Sequence, residues 1–235
     1  MSKTFKSEGI VLRTLNYAET SVIMDIYTER HGLASFIVSG VRKSKSRMGY
    51  LFRPMNIITM VAYLPGEQLA RVKEGSYAHH YMALDRDVVR SSIGTFFIDL
   101  ARNCIKEKEP NPSLYHFLRN TLIDLDTTTH LKAYPIRLAL ALAAHLGLQL
   151  SNDHSDSLPY FDLEEGHFIS DDTRGKYVLN GNRSRALHLC LSGHSDTLNK
   201  LERKLVLDDL INYYRLHVYD FKELRSLPVL RTILG

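Results

Sequence analysis

The first 80 residues contain five short apolar runs, each of strand length and each ended by a turn signal. The runs are rich in Val, Ile, Thr, Tyr and Phe, which suit a pleated surface, and several alternate apolar with polar residues. We predict strands at Phe5–Arg13, Ser21–Thr28, Leu33–Val41, Asn56–Leu64 and Gln68–Ser76. Five short strands that begin as a meander predict a small closed barrel. The OB-fold is the first choice, and an SH3-like barrel is the alternative.

After residue 84 the apolar residues recur every three or four positions, which is the spacing of one helix face. We predict helices at Ser91–Glu107, from Pro112 to Leu125, at Lys132–Leu148, at Thr197–Phe221 and after Ser226. The intervening segment 151–181 is polar and contains Pro and Gly. It is interpreted as a loop-rich insertion with one possible hairpin around Glu164–Ile169. The expected fold class is therefore α+β, with an OB-fold barrel at 1–80 followed by an all-α helical domain at 81–235.

A basic run, GVRKSKSR, separates the third and fourth predicted strands. It carries no acid, and its four cations are Arg42, Lys43, Lys45 and Arg47. Such a loop can pair with a phosphate backbone without fixed geometry, and that binding depends strongly on salt. The alternative is a solvated hairpin loop without a ligand.

The distribution of charge favours the nucleic-acid interpretation of this run. Residues 1–80 hold eleven Lys and Arg against six Asp and Glu, whereas residues 81–235 hold nineteen against twenty. The net charge is therefore 11 − 6 = +5 in the first part and 19 − 20 = −1 in the second. Arg13, Tyr50 and Arg53 are expected to extend the binding surface, because aromatic rings beside cations can stack on bases. Phe52 is expected to belong to the core.

Motifs for catalysis are absent from the sequence. It has no GxxxxGK[ST], GxGxxG, GxSxG or HExxH, so we predict no catalytic residue and no cofactor. His79-His80 and His188-x-Cys190-x3-His194 are weak metal candidates, since neither supplies four ligands. The carboxylates of the insertion, and the pairs Asp171-Asp172 and Asp208-Asp209, are interpreted as solvated surface rather than as a nuclease centre.

The two cysteines, Cys104 and Cys190, are far apart and form no CxxC pair, so reduced thiols are expected. The N-terminus lacks the apolar segment of a signal peptide, and no run approaches 18 apolar residues. We therefore expect a cytoplasmic protein that does not contact the membrane.

An ordered series of short matches makes the first 80 residues resemble the RecO family of bacterial recombination mediators. The series begins with EGIVLRT at Glu8–Thr14, followed by Tyr17, Glu19 and Ser21. It continues with YTERHG at Tyr27–Gly32, with Gly40–Lys43, Lys45 and Ser46, and with Leu51, Phe52 and Pro54. Beyond residue 80 the resemblance depends on length, helical texture and the helix around Arg137–Gly147.

The resemblance implies a protein that binds single- and double-stranded DNA, anneals complementary strands and catalyses no reaction. RecO-like proteins act with RecR and help RecA displace single-stranded DNA-binding protein, whose acidic C-terminal tail they bind through the helical domain. A pocket for such a tail should be apolar and rimmed by cations, for which the candidates are Arg137, Lys200, Arg203 and Lys204. Many members carry a four-cysteine zinc site in the region of the insertion. This chain has no cysteine between Cys104 and Cys190, so that site is not expected here.

Two other function classes remain open at this point. An RNA-binding or translation-associated OB module would suit the same barrel and the same charge. A metal-dependent nuclease would require the acidic insertion to chelate an ion.

Overall fold

The structure is a computed structural model that describes residues 3–41, 49–64, 69–106, 108–171 and 175–234. Contacts divide the chain into two compact units. The first unit comprises Met1–Asp87 with Ile105–Thr127, and the second comprises Val88–Cys104 with Thr128–Gly235. The basic residues Arg42, Lys43, Lys45 and Arg47 lie outside the described residues, as does Asp172.

Five strands of the first unit form a closed barrel, which confirms the predicted fold class. They are β1 (Lys3–Tyr17), β2 (Ser21–Thr28), β3 (Gly32–Val38), β4 (Ile57–Leu64) and β5 (Ala70–Tyr77). The order around the barrel is β1-β2-β3-β5-β4, and β4 pairs with β1 to close it. The pair β3 and β5 is parallel and every other pair is antiparallel. This is a small Greek-key barrel of the OB-fold type.

The first strand is longer than the sequence predicts because it serves two partners. Its first half pairs with β4 from Lys3 to Ile10, and its second half pairs with β2 from Gly9 to Tyr17. A register shift between Val11 and Arg13 marks a β-bulge, which bends the strand and increases its twist. The bend lets one strand close the barrel.

The helices lie in chain order after the barrel. They are α1 (Val88–Cys104), α2 (Pro112–Thr127), α3 (Tyr134–His145), α4 (Gly181–Leu191), α5 (Lys200–His217) and α6 (Leu227–Leu234). No helix in the described ranges is long and apolar enough to cross a membrane.

Helix α2 makes polar contacts with the barrel from its first half and with the segment that follows the barrel from its last turn. Near its start, Tyr115 Oη and Arg119 Nε donate to Glu8 Oε1 on β1, at 2.7 and 2.8 Å. Burial and the hydrogen bond to Glu8 raise the pKa of Tyr115, so its hydroxyl stays a donor. At its end, Asp126 is 4% exposed and accepts from the backbone N–H groups of residues 82–84.

The segment before α2 crosses the turn between β2 and β3 at close range. Gly32 has φ +59°, and a Cβ built there would lie 2.4 Å from the carbonyl oxygens of Lys108 and Glu109. Both the backbone conformation and the space therefore require glycine at this position.

The second unit has an apolar core made by α1, α3, α5 and α6. Phe97 of α1, Leu142 of α3 and Leu210 of α5 are fully buried, and Tyr214 Oη donates to the Ala139 carbonyl at 2.7 Å. Helix α5 begins with a capping box between Asn199 and Glu202, which stabilises its first turn.

The insertion is more ordered than the sequence indicates. It forms a three-stranded sheet of β6 (Tyr160–Asp162), β7 (His167–Ile169) and β8 (Val178–Leu179), with β6 in the centre. The expected hairpin is present, with its turn at 163–166. Helix α4 follows the sheet directly and was not predicted from the sequence.

Candidate nucleic-acid interface

The residues on either side of the basic segment lie close together at the barrel. Val41 and Gly49 are the last and first described residues on either side of it, and a Cβ built on Gly49 would lie 3.5 Å from the Val41 carbonyl oxygen. Val41 is buried in the barrel core, which fixes the entry point. The four predicted cations Arg42, Lys43, Lys45 and Arg47 lie between these two positions of the chain, outside the described residues.

The residues that follow the segment are held firmly on the barrel. The buried Asn56 amide donates to the carbonyls of Tyr50 and Leu51, at 2.8 and 3.0 Å. The side chains of Leu51 and Phe52 are buried in the barrel core, as expected for Phe52. Gly75 on β5 makes room for them, because a Cβ there would lie 2.9 Å from Leu51 Cδ2.

Tyr50 and Arg53 stand on the solvent side of this anchored stretch. Tyr50 is 63% exposed, and Arg53 Cζ lies 4.4 Å from the centroid of its ring. Each was predicted separately to extend the binding surface, and the structure brings the two side chains together. An exposed ring with a guanidinium on one face can stack a base on the other, at about 1–3 kcal/mol per base.

The rings of Tyr77 and His80 form a further pair, which the sequence did not indicate. Tyr77, at the end of β5, lies 4.8 Å from the His80 ring between centroids. Burial and the Asp85 carboxylate raise the pKa of the Tyr77 hydroxyl, and the nearby Arg53 charge opposes that rise. Arg53 therefore lies close enough to act on both tyrosines. The strand pattern of β5 gave no signal that Tyr77 belongs with Tyr50.

Arg13 lies on the outer wall of the barrel and is already paired. Its Nε donates to Asp25 Oδ2 at 2.7 Å, and Ser35 Oγ donates to the other oxygen of the same carboxylate at 2.8 Å. The side chain is about one-third exposed, so it remains reachable, but Asp25 offsets its charge. Its role in nucleic-acid binding stays a prediction.

The second unit contains an apolar cavity with a cationic rim, of about 660 Å³. Its apolar lining includes Ile136, Leu201, Leu207, Leu230 and Leu234, and its cations are Lys132, Lys200, Arg203, Lys204 and Arg231.

Three of the four predicted rim residues, Lys200, Arg203 and Lys204, line this cavity. The fourth, Arg137, does not, because its guanidinium contacts Asp196 at 2.8 Å and the His130 carbonyl. Arg231 pairs with Asp208, whereas no carboxylate among the described residues pairs with Lys132, Lys200 or Lys204.

Comparison with known proteins gives one consistent family. The family model for the N-terminal region of recombination protein O matches residues 1–81, and the model for its C-terminal region matches residues 85–228. The chain is 32% identical to the DNA repair protein RecO of Phocaeicola vulgatus, over 98% of this chain and 99% of that protein. It is also 32% identical to RecO of Bacteroides fragilis and 29% identical to RecO of Flavobacterium psychrophilum, each over at least 97% of both chains.

This chain belongs to the recombination protein O family. The family assignment and the resemblance read from the first 80 residues agree, and the match extends through the helical part. These three relatives match this chain over nearly their whole length, and the two family models match its N-terminal and C-terminal parts.

The weak metal candidates do not converge in this RecO family member. His188 Nδ1 lies 2.9 Å from Asn152 Oδ1, and its ring stacks on His154 with 4.5 Å between centroids. Burial raises the pKa of the Cys190 thiol to about 12, so this cysteine is a protonated core residue. His79 and His80 face different rings, those of Tyr81 and Tyr77. Within the described ranges, no three His, Cys, Asp or Glu side chains lie together as a metal ion would require.

Proposed function

We propose that this protein is a DNA-binding mediator of recombinational repair that works at the nucleoid in the cytoplasm and acts by binding alone. It binds single- and double-stranded DNA through the barrel and anneals complementary strands. With RecR, it helps to load RecA onto DNA covered by single-stranded DNA-binding protein. The observation that carries the proposal is the exposed Tyr50–Arg53 pair at the exit of a segment with four cations, in a chain of the RecO family.

The chemistry of annealing explains why binding alone is sufficient. Two complementary strands repel each other through their phosphates, and a cationic surface that holds both lowers this barrier. A ring that stacks a base keeps the strand open for pairing without reading its sequence. No group has to be activated, so the surface needs no catalytic residue.

The test is a salt titration of oligonucleotide binding by the wild type and by the Arg42→Ala/Lys43→Ala/Lys45→Ala/Arg47→Ala variant. Each lost phosphate contact lowers the slope of log K against log salt by about 0.7 for a single strand, so four contacts lower it by about 3. Annealing of complementary strands should slow in parallel. An unchanged slope and rate in the variant would remove the basic segment as the principal contact.

Variants of Tyr50 and Arg53 test the same proposal independently of the basic segment. Tyr50→Ala should weaken single-strand binding by about 1–3 kcal/mol with little change in the salt slope, because it removes stacking and no charge. Arg53→Gln should lower the slope by about 0.7. Phe52→Leu is the matched control, since Phe52 is buried and cannot meet a base.

An RNA competitor decides between the DNA function and an RNA-binding OB module. The barrel and its charge accept either nucleic acid, so equal-length DNA and RNA strands are compared as competitors. Stronger displacement by RNA would favour the RNA-binding alternative and contradict the proposal.

We also propose that the cavity of the second unit receives the acidic C-terminal tail of single-stranded DNA-binding protein. An apolar floor suits a terminal hydrophobic side chain, and the Lys and Arg rim suits acidic residues and the terminal carboxylate. Lys200→Glu/Lys204→Glu should weaken binding of a fluorescent acidic peptide with a hydrophobic C-terminus by at least tenfold. Arg137→Ala is the matched control, because this cation lies outside the cavity. Equal losses in both variants would place the tail elsewhere.

A further inference from the structure

A second cationic surface lies on the outer wall of the barrel, across β1, β4 and β5. We call it the β4–β5 patch, and it consists of Lys6, Tyr63, Arg71 and Lys73. Strand register places these residues together, because Tyr63 pairs with Arg71 on one side and with Thr4 on the other, two residues from Lys6. All three cations are exposed, and Tyr63 is half-buried.

The side chains of the patch all point away from the barrel core. Their strand neighbours Ser7, Ala62 and Val72 are buried, and successive residues on a strand face opposite sides. The register shift on β5 falls opposite Val61 and Ala62, which makes Lys73 the extra residue of a β-bulge. Bulges re-aim side chains, and here the Lys73 ammonium lies 4.9 Å from the centroid of the Tyr63 ring.

The charge of the patch selects a polyanion as its ligand. β1, β4 and β5 carry two carboxylates, Glu8 and Glu74, and Glu8 is already paired with Arg119. Among these strand residues the three cations of the patch therefore stand against Glu74, a local excess of 3 − 1 = +2. No ion pair between described residues includes Lys6, Arg71 or Lys73. The Lys73 side chain, held over the ring, has already lost part of its conformational entropy. Less entropy is therefore lost when its ammonium binds a phosphate.

The position of the patch suits a second strand. Lys73 and Tyr77 are four residues apart on β5, which corresponds to about 13 Å. The charge of Arg53 acts on the Tyr77 hydroxyl, so we take Tyr77 as the edge of the Tyr50–Arg53 surface, and the patch begins about 13 Å from that edge. Repulsion between exposed charges is largely screened beyond about 10 Å at 0.1 M salt. Two strands held at this separation are close to each other without strong repulsion.

We propose that the β4–β5 patch binds the second of the two DNA strands during annealing. This inference rests on the proposed annealing function. In that function the basic segment and Tyr50 bind one DNA strand, and the patch binds the complementary strand. The ligand is single-stranded DNA, and it is held by phosphate contacts rather than by base recognition.

The test compares the wild type with Lys6→Ala/Arg71→Ala/Lys73→Ala in the full chain. Oligonucleotides of about 16 nucleotides, the upper end of an OB-fold site, are used to count bound strands and to follow annealing by energy transfer. We expect the variant to bind one strand with an affinity within about twofold of wild type, to lose the second, and to anneal at least tenfold more slowly. The salt slope for second-strand binding should fall by about 2, from three lost contacts.

The matched control is Lys176→Ala, which removes a lysine held at the same 4.9 Å from a tyrosine ring, that of Tyr177 in the second unit. If the triple variant loses its circular dichroism signal, the single Lys73→Ala variant replaces it, with an expected slope change of about 0.7. A triple variant that binds two strands and anneals like wild type overturns this inference alone. A wild type that anneals no strands overturns the proposed function with it.

Discussion

Replacing Asp126 tests most directly how much the contact between helix α2 and residues 82–84 stabilises the protein. Its Oδ2 accepts from the Met82 N–H at 2.8 Å, and its Oδ1 accepts from the N–H groups of Ala83 and Leu84 at 2.8 and 2.6 Å. Burial opposes the charged form, but these three backbone donors and the nearby His79 outweigh it and lower the pKa of Asp126 below its ordinary 3.8. The carboxylate is therefore ionised and fully used.

The expected cost of Asp126→Asn follows from this geometry. The amide keeps one acceptor oxygen and turns an N–H₂ group toward a backbone N–H, so one or two charge-assisted bonds are lost. Each is worth about 1.5–3 kcal/mol, and the Met82 and Ala83 N–H groups can regain water. We expect a loss of about 2–4 kcal/mol in the free energy of unfolding, or about 4–16 °C in Tm.

The assay is urea unfolding of both proteins as a function of pH. Because the folded-state pKa of Asp126 is lowered, its stabilisation is fully present above the ordinary value of 3.8 and is lost as pH falls through the folded pKa. The difference between the proteins should hold from pH 7 to pH 5 and shrink below pH ~4. Asp156→Asn, an exposed change, should stay within about 0.5 kcal/mol of wild type. An Asp126→Asn protein as stable as wild type at pH 7 would refute the reasoning.

Three further outcomes are expected. Gly32→Ala should destabilise the protein by about 2 kcal/mol or more in urea unfolding, because its Cβ meets two carbonyl oxygens at positive φ, whereas Gly147→Ala carries only the backbone strain. Burial, then the charges of His154 and His194, lower the pKa of His188. The free energy of unfolding should therefore fall as pH drops below about 6.5, and it should fall less in His154→Gln. An equal dependence of unfolding free energy on pH in the two proteins would contradict this. A fragment ending at residue 80 should melt lower than one ending at 127, since it lacks the contacts of Tyr115, Arg119 and Asp126, and equal melting would show that α2 adds nothing.

Much of the fold could be predicted because short stretches of sequence determine where its strands begin and end. The five strands stand between clear turn residues, and Gly32 does adopt positive φ. The bounds of β1 could not be predicted, because the bulge near Val11 and the switch between two partners depend on barrel closure rather than on the local pattern.

Contacts between distant residues explain what the sequence could not reveal. The helical period of α2 says nothing about the bonds from Tyr115 and Arg119 to Glu8, which span 107 and 111 residues. Lys200, Arg203 and Lys204 could be predicted as a cationic face, since Arg203 and Lys204 follow Lys200 by three and four residues on one helix. Arg137 looked equivalent, but Asp196 takes its guanidinium, and no sequence pattern links the two.

The short distance between Val41 and Gly49 has a consequence for how this family can vary. A segment whose ends already meet on a rigid wall adds little strain when it grows, since each doubling of loop length costs only about 0.6 kcal/mol. The number of cations between those two residues can therefore change by insertion or deletion while the barrel core stays as it is. DNA affinity and folding stability are thus separately adjustable at this position, and doubling or halving the length of the segment should shift Tm by only about 1–3 °C.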